Sequence, residues 1–202
     1  MEHLYERAVF GGDAAALDEA DRRLDAMEAD LCVKRGRVAH ARFLAGEGES
    51  PDELPLFERA VELYRRLGDM RGQGEARFWI GCFQQVVRGE TGSEELTRSL
   101  ELARRAGDEL TASYALRHLG IAEHRAGNLP RARELLEESV RLRRSLGFLP
   151  GVAANLVGLA YITAAEGGDP AEILDEATDL ASASGSGAIT RQIEEARSHL
   201  RR

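Results

Sequence analysis

The sequence is poor in the residues that build β-sheets and disulfide-linked proteins. Only 5% of its 202 residues are aromatic, it has one tryptophan and five prolines, and its two cysteines, Cys32 and Cys82, share no motif. Strands favour aromatic and β-branched residues, and small disulfide frameworks need regularly spaced cysteine pairs. We therefore expect a helical cytoplasmic protein with two reduced, buried thiols.

Long apolar runs are also absent. The longest is LVGLAYITAA, residues 156–165, which is far shorter than the roughly 20 residues that a membrane-spanning helix needs. The first residues, MEHLYERAVFGGD, are charged and do not predict a signal peptide. We expect no membrane contact. The apolar segment 150–166 leaves both a monomer and a homodimer open, because an exposed apolar patch often forms an interface.

Lysine is almost missing from the chain. Lys34 is the sole lysine among 27 cationic residues, and the net charge is −8. A nucleic-acid surface needs a basic stripe, so we expect no direct binding of nucleic acid. The excess of arginine is typical of a GC-rich bacterial genome. Phosphate binding by these arginines is the alternative interpretation, although they interleave with acidic residues.

Motifs of catalysis and metal binding are missing as well. The chain has no G-x-x-x-x-G-K loop, no H-E-x-x-H, no C-x-x-C and no nucleophilic serine elbow. His118 and His124 are six residues apart, whereas metal ligands on one helix need spacings of three or four. We therefore predict a protein that is not an enzyme and that holds neither a metal ion nor another cofactor.

What the sequence does contain is an internal repeat. Three series of glycines recur every 38 to 40 residues. The first lies in short segments such as RRLGDM and RRAGDE, the second within helical segments and the third near turns. Three series with the same period indicate a chain built from repeated units. The series are Gly68, Gly107, Gly147 and Gly185; Gly81, Gly120 and Gly158; and Gly89, Gly127 and Gly167.

Each period contains two amphipathic helical segments. In the segment 129–146, Leu135, Leu136 and Val140 share one face at a spacing near 3.6 residues, and most charged side chains lie elsewhere. The same pattern along the chain predicts eleven helices. They are residues 2–10, 13–29, 31–45, 52–67, 71–88, 92–106, 109–126, 129–146, 150–166, 170–183 and 188–201.

Local signals mark several helix starts. Pro130 fits the first turn of its helix, and Asn128 fits the preceding N-cap. Ser50 and Glu53 offer a capping box for the helix at 52–67. Gly120 lies inside a predicted helix, where we expect the second helix of its pair to cross too closely for a side chain.

The repeated pattern resembles the tetratricopeptide repeat. A period near 39 residues is closer to the long variety, found in helical regions of bacterial transcription regulators and in kinesin light chains, than to the usual unit of about 34. The resemblance implies an all-α fold, an α-α superhelix or solenoid of about five antiparallel helix pairs with a C-terminal capping helix. Positions that match are Ile80, Gly81, Leu96 and Ser99; Leu116, Leu119, Gly120, Ala132, Leu136 and Ser139; and Val157, Gly158 and Tyr161.

The likeness is uneven along the chain. The family's early tryptophan is replaced by Arg77, Leu116 and Ala154, and a glycine turn replaces its closing proline. The match is good over residues 50–184 and weak at both ends. We expect one continuous repeat domain over residues 1–202. Its units are approximately 1–30, 31–68, 69–107, 108–147 and 148–185, with a cap at 186–202.

In tetratricopeptide arrays the first helix of each pair lines a concave groove, and the resemblance implies which side chains face it here. Helical spacing agrees for the middle group, which recurs along one stripe. Packing between neighbouring helices is an equal alternative for Phe78, Ile121 and Leu159. The implied groove residues are Phe78, Cys82 and Gln85; Tyr114, Arg117, Ile121, His124 and Arg125; and Asn155 and Leu159.

These residues lead to two functional hypotheses. The first is a non-enzymatic scaffold that binds a protein or peptide partner in the groove, where Arg117 and Asn155 would fix its polarity through hydrogen bonds. The second is a sensor of a small-molecule effector in a bacterial regulatory system. In that case Tyr114, Arg117, His124 and Arg125 would hold an anionic ligand.

Overall fold

The computed structural model describes residues 2–200, and over this range the chain forms ten α-helices and no β-strand. The all-α prediction is confirmed for these residues. Within the same range, every helix is too short or too polar to cross a lipid bilayer. The helices are α1 (Glu2–Val9), α2 (Ala15–Leu44), α3 (Glu53–Leu67), α4 (Met70–Val86), α5 (Ser93–Ala106), α6 (Glu109–Arg125), α7 (Leu129–Ser145), α8 (Leu149–Ala165), α9 (Ala171–Ala183) and α10 (Gly187–Leu200).

Helix contacts divide the chain into two compact units, Met1–Ala106 and Gly107–Arg202. In the first unit, α2 packs on α1 and α3, α3 packs on α4, and α4 packs on α5. In the second, α7 packs on both α6 and α8, while α10 packs on α8 and α9. Within each unit, consecutive helices that contact one another are joined by short connections and form helical hairpins.

Glycines inside the helices let paired helices approach closely. A Cβ atom on Gly81 of α4 would lie 2.7 Å from Cγ of Leu96 in α5. One on Gly120 of α6 would lie 3.0 Å from Cγ of Leu136 in α7, and one on Gly158 of α8 would lie 3.0 Å from Cδ1 of the same leucine. The close crossing expected at Gly120 is confirmed. Packing explains why the chain carries a residue that costs a helix interior about 1 kcal/mol.

One predicted helix boundary is wrong. The sequence predicts separate helices at 13–29 and 31–45, whereas α2 continues from Ala15 to Leu44. The residues at the predicted break, EADL at 28–31, include neither glycine nor proline, so nothing there ends a helix. The other nine predicted helices are confirmed, and their ends differ from the observed ends by at most two residues. The predicted end at residue 201 lies outside the described residues.

The predicted helix starts are confirmed in part. Asn128 is the N-cap residue of α7, and Pro130 lies in its first turn. The Asn128 side chain does not cap the helix, because its Nδ2 donates to Glu123 Oε2 at 2.9 Å instead. The capping box is wrong, since Glu53 turns its carboxylate into the interior rather than toward the backbone of Ser50.

Aspartates provide the side-chain caps at two helix starts. Asp69 accepts a hydrogen bond from the Gly72 backbone N–H at 2.9 Å at the start of α4, and Asp108 accepts one from the Thr111 N–H at 3.1 Å at the start of α6. Each aspartate follows a glycine with a positive φ angle. A glycine–aspartate turn therefore begins both helices.

Gly36→Ala should destabilise the first unit, because a methyl group there would overlap the fully buried ring of Phe57. We expect the free energy of unfolding to fall by about 1–3 kcal/mol, the usual cost of overpacking. Urea unfolding followed by the fluorescence of Trp79, the sole tryptophan, which stacks on Phe57, measures this loss. Gly187→Ala is the control, because an added Cβ there has no neighbour within 4 Å. Equal losses in both variants would contradict the packing explanation.

Candidate functional site

The ten side chains that the sequence predicts for a groove lie on three helices, and five of them are buried. The ring of Phe78 meets Trp79 edge-on, with centroids 5.0 Å apart, and Gln85 Nε2 donates to the Thr91 carbonyl at 3.3 Å. These five side chains therefore contribute to the interior of the protein. The buried set is Phe78, Cys82 and Gln85 on α4, and Asn155 and Leu159 on α8.

The other five predicted side chains lie on α6 and reach the surface. Tyr114, Arg117, Ile121 and His124 are partly exposed, and Arg125 is exposed. Positions 117, 121, 124 and 125 follow the spacing i, i+4, i+7, i+8, so their side chains adjoin on one side of the helix. We call these four residues, together with Tyr114, the α6 stripe. It combines apolar and cationic groups on one partly exposed surface of the second unit.

Arg117 also belongs to a polar cluster that joins α6, α7 and α8. Its Nη1 donates to the Ala154 carbonyl at 2.7 Å and to Asn155 Oδ1 at 3.0 Å. Arg143 of α7 donates from its own Nη1 to the same Asn155 oxygen at 2.9 Å and to the Gly151 carbonyl at 2.8 Å. One amide oxygen therefore accepts hydrogen bonds from two guanidinium groups.

Aromatic rings cover the second guanidinium. The Arg143 Cζ lies 4.9 Å from the ring centroid of Tyr114 and 5.5 Å from that of Phe148, distances that allow cation–π attraction. Its Nε lies 3.3 Å from Ser113 Oγ. Arg143 is only 1% exposed, and its Nη2 has no hydrogen-bond partner within the described residues. The Nδ2 amide of Asn155 is likewise buried and unpartnered there. We call Tyr114, Arg117, Arg143, Phe148 and Asn155 the arginine cluster.

Burial lowers the pKa of both arginines in the cluster. The pKa of Arg117 falls to about 10 because its guanidinium loses hydration. The pKa of Arg143 also falls to about 10, first through the same loss and then through repulsion by Arg117. Both groups stay protonated at neutral pH, and within residues 2–200 neither forms an ion pair with a carboxylate. The cluster therefore concentrates positive charge without a negative partner.

Sequence reasoning missed Arg143, although one signal was present. Leu136, Val140 and Arg143 follow the spacing i, i+4, i+7, which places the arginine on the buried face of α7. The neighbouring Arg144 is exposed and pairs with Glu176. Its place on the apolar face of α7 distinguishes Arg143 from exposed arginines such as Arg144.

A second polar cluster lies in the first unit and links α2, α3 and α4. His40 Nδ1 is 2.8 Å from Glu53 Oε1, and His40 Nε2 is 3.7 Å from Cys82 Sγ. All three side chains are buried, Glu53 completely, and Trp79 packs edge-on against the imidazole at 5.6 Å. The order carboxylate, imidazole, thiol is also that of a cysteine nucleophile with its base and orienting acid.

The environment of Cys82 favours a structural role for this second cluster. Burial, together with the negative charge of Glu53, raises the pKa of the Cys82 thiol to about 12. A catalytic cysteine needs the opposite shift, since the thiolate is the nucleophile. The carboxylate and the thiol also contact different nitrogens of the ring, so the three groups do not converge on one metal ion. Among the described residues, no set of three or more His, Cys, Asp and Glu side chains is arranged to hold a metal.

Alkylation of the folded protein tests this interpretation. At pH 8 a thiol with a pKa of about 12 has on the order of a thousandfold less thiolate than an ordinary cysteine. We expect iodoacetamide to leave Cys82 unmodified in the native protein and to modify it readily in 8 M urea, as read by peptide mass spectrometry. Rapid native modification of Cys82 would instead identify an activated thiol.

His40→Ala should destabilise the first unit strongly. It removes the one hydrogen-bond partner of a fully buried carboxylate, because Glu53 Oε2 has none within the described residues. We expect a loss of about 3–5 kcal/mol in the free energy of unfolding, measured by urea unfolding through Trp79 fluorescence. The double variant His40→Ala/Glu53→Leu should recover part of this loss, since it also removes the buried carboxylate that would be left without a hydrogen-bond partner. A double variant less stable than His40→Ala would refute the pairing.

Comparison with known proteins assigns this chain to no family. The chain matches no model of a protein family, and a search of curated proteins gives no match. Side-chain geometry therefore provides the basis for a functional proposal.

Proposed function

We propose that this chain is a helical repeat protein of the tetratricopeptide kind, an α-α superhelix that binds a protein or peptide and catalyses no reaction. The observation that carries the proposal is the α6 stripe, where Arg117, Ile121, His124 and Arg125 adjoin at the surface. Mixed apolar and cationic surfaces on one helix suit a peptide that buries apolar side chains and orients its polar groups by charge.

Contacts that recur at the repeat period support the repeat assignment. The Ser99 hydroxyl donates to the Gly74 carbonyl at 2.7 Å, which joins α5 to α4. The Ser139 hydroxyl donates to the Ser113 carbonyl at 2.5 Å, which joins α7 to α6. The two donors are 40 residues apart and the two acceptors 39. The glycine–leucine contacts of the same helix pairs recur at the same spacing, as expected for equivalent units.

Charge favours an acidic partner for the α6 stripe. The chain as a whole carries a net charge of −8, yet the stripe presents the exposed Arg125 next to His124, while the guanidinium of Arg117 turns inward to α8. Arg125 is exposed and forms no ion pair within residues 2–200. A local cationic surface on an acidic protein attracts acidic peptides and repels cationic ones.

A different observation favours a second candidate function, the sensing of a small anionic effector. The arginine cluster holds two protonated guanidinium groups and no carboxylate. A small acid bound there would meet side chains of α6, α7 and α8 together. Both functions use Arg117, so they differ in the size of the ligand rather than in the charge that attracts it.

Arg125→Glu should weaken peptide binding at the α6 stripe, because it reverses the exposed charge at one end. A displayed library of random linear peptides, selected on the purified chain, supplies ligands whose affinities are then measured by fluorescence anisotropy. We expect acidic sequences on the wild-type protein and at least about a tenfold weaker affinity for the variant. Arg141→Glu is the matched control, since Arg141 is an exposed arginine on α7 away from the stripe. Equal weakening in both variants, or selection of uncharged peptides that bind both equally, would overturn the proposal.

A further inference from the structure

The arginine cluster contains more hydrogen-bond donors than acceptors. Asn155 Oδ1 accepts from both guanidinium groups, and the carbonyls of Ala154 and Gly151 each accept one further bond. Two buried donor groups remain unsatisfied within the described residues, Arg143 Nη2 and Asn155 Nδ2. They belong to side chains that are hydrogen-bonded to each other, and both lack an acceptor of the kind that an anion provides. Buried donors are rarely left unpaired in proteins.

Dipoles and rings compensate the charge of the cluster only in part. Arg143 lies in the last turn of α7, where the helix dipole favours a cation, and the faces of Tyr114 and Phe148 contribute cation–π attraction. These contributions do not pair with Arg143 Nη2, and Arg117 adds a second positive charge to the same amide oxygen. A buried charge is ordinarily paired with an opposite one.

Comparison with equivalent positions makes Arg143 unusual. It precedes Gly147 by four residues, and the residues at this distance from Gly68, Gly107 and Gly185 are Tyr64, Ala103 and Ala181. All four positions are buried, and only the second unit's Arg143 carries a charge. The polar group of Tyr64 has a partner, because its hydroxyl donates a hydrogen bond to Asp30 Oδ1 at 2.7 Å. Packing of the repeat therefore does not call for a cation at this position.

We propose that Arg143, Arg117 and Asn155 form a binding site for a carboxylate group. The two oxygens of a carboxylate would accept from Arg143 Nη2 and Asn155 Nδ2, and its charge would neutralise the more deeply buried guanidinium. Tyr114, Arg117 and Phe148 are the members of the cluster that reach the surface, so the ligand enters past these side chains.

A carboxylate fits this cluster better than a phosphate. Two unsatisfied donor groups match two carboxylate oxygens, whereas a phosphate would bring further oxygens that need donors of their own. A carboxylate also carries a single negative charge, which is less costly to desolvate than the charge of a phosphate dianion. The site rests on the second candidate function, the sensing of a small anionic effector, and names a carboxylate as the anion. It does not depend on the peptide-binding proposal, because a free carboxylic acid would meet the same donors.

The arginine side-chain signals of the full chain provide the test. Sodium acetate should produce saturable shifts in the Nε–Hε resonances of Arg143 and Arg117, against sodium chloride at equal ionic strength. Arg143→Met, which keeps the bulk of the side chain and removes its charge, should weaken the acetate response of Arg117 at least tenfold. Arg144→Met is the control, because Arg144 is an exposed neighbour paired with Glu176, and it should respond like the wild type. An unaltered response in Arg143→Met would overturn the proposal.

A second variant keeps the proposal testable if Arg143→Met fails to fold. Asn155→Asp places a carboxylate where the two guanidinium groups already donate. It should therefore raise the melting temperature and abolish the acetate response. A lower melting temperature with an intact acetate response would show that acetate does not bind at this cluster and would overturn the proposal. Tighter saturation by sodium phosphate than by acetate would overturn the carboxylate assignment.

Two probes separate the sources of the carboxylate. Succinate represents a free acid, and acetyl-tetraalanine with a free C-terminus, compared with its C-terminal amide, represents a peptide. Stronger binding of succinate than of either peptide would identify a small-acid site. Stronger binding of the free-acid peptide than of its amide and of acetate would identify a peptide terminus. Failure of both probes together with acetate would refute the carboxylate site, while leaving the separate Arg125 test of the α6 stripe intact.

Discussion

The close approach of paired helices at glycine is the constraint on which the rest of the structure depends. At Gly81 and Gly120 the missing Cβ atom lets a leucine of the following helix lie against the backbone. At that separation the hydroxyls of Ser99 and Ser139 reach carbonyl oxygens on the facing helix. These carbonyls have a second lone pair available, so the interhelical bond does not require the helix to give up its own. The same closeness leaves little space for large polar side chains between the helices. Each large polar side chain that is buried there therefore needs its own explanation.

The two buried polar clusters differ in how their charge is balanced. In the first cluster, the imidazole of His40 lies between two groups. Its Nδ1 faces the Glu53 carboxylate, and its Nε2 faces the Cys82 thiol. The raised pKa of the Cys82 thiol keeps it protonated, and the cluster joins three helices. Arg117 and Arg143 instead repel each other across one amide oxygen. In the first cluster a carboxylate faces an imidazole, whereas within the described residues no carboxylate pairs with either guanidinium group of the second.

Features that depend on local sequence pattern, such as helix positions, could be predicted from the sequence. The partners of buried polar side chains could not, because they lie far away in the sequence. Apolar periodicity located nine helices, and the glycine at position 120 indicated a close crossing, because both follow from one helix and its adjoining partner. The break predicted near residue 30 was wrong because the stretch at 28–31 contains no residue that ends a helix. Glu53 fitted a capping box in sequence, but its partner His40 lies on another helix. Arg143 was missed because its role depends on Asn155 and two aromatic rings that the chain brings together only in the fold.

Arg117 links the surface of the second unit to its interior. It stands in the α6 stripe, where an acidic peptide would meet it, and its guanidinium is held by the Ala154 carbonyl and Asn155 Oδ1 of α8. Because Asn155 also accepts from Arg143, any ligand that draws Arg117 outward weakens one of two bonds to the same oxygen. A carboxylate bound at Arg143 would act in the opposite direction, since it reduces the repulsion between the guanidinium groups and holds Arg117 in place. Thermodynamic linkage makes this influence reciprocal. The two proposed binding events therefore share one side chain, and each would change the affinity of the other.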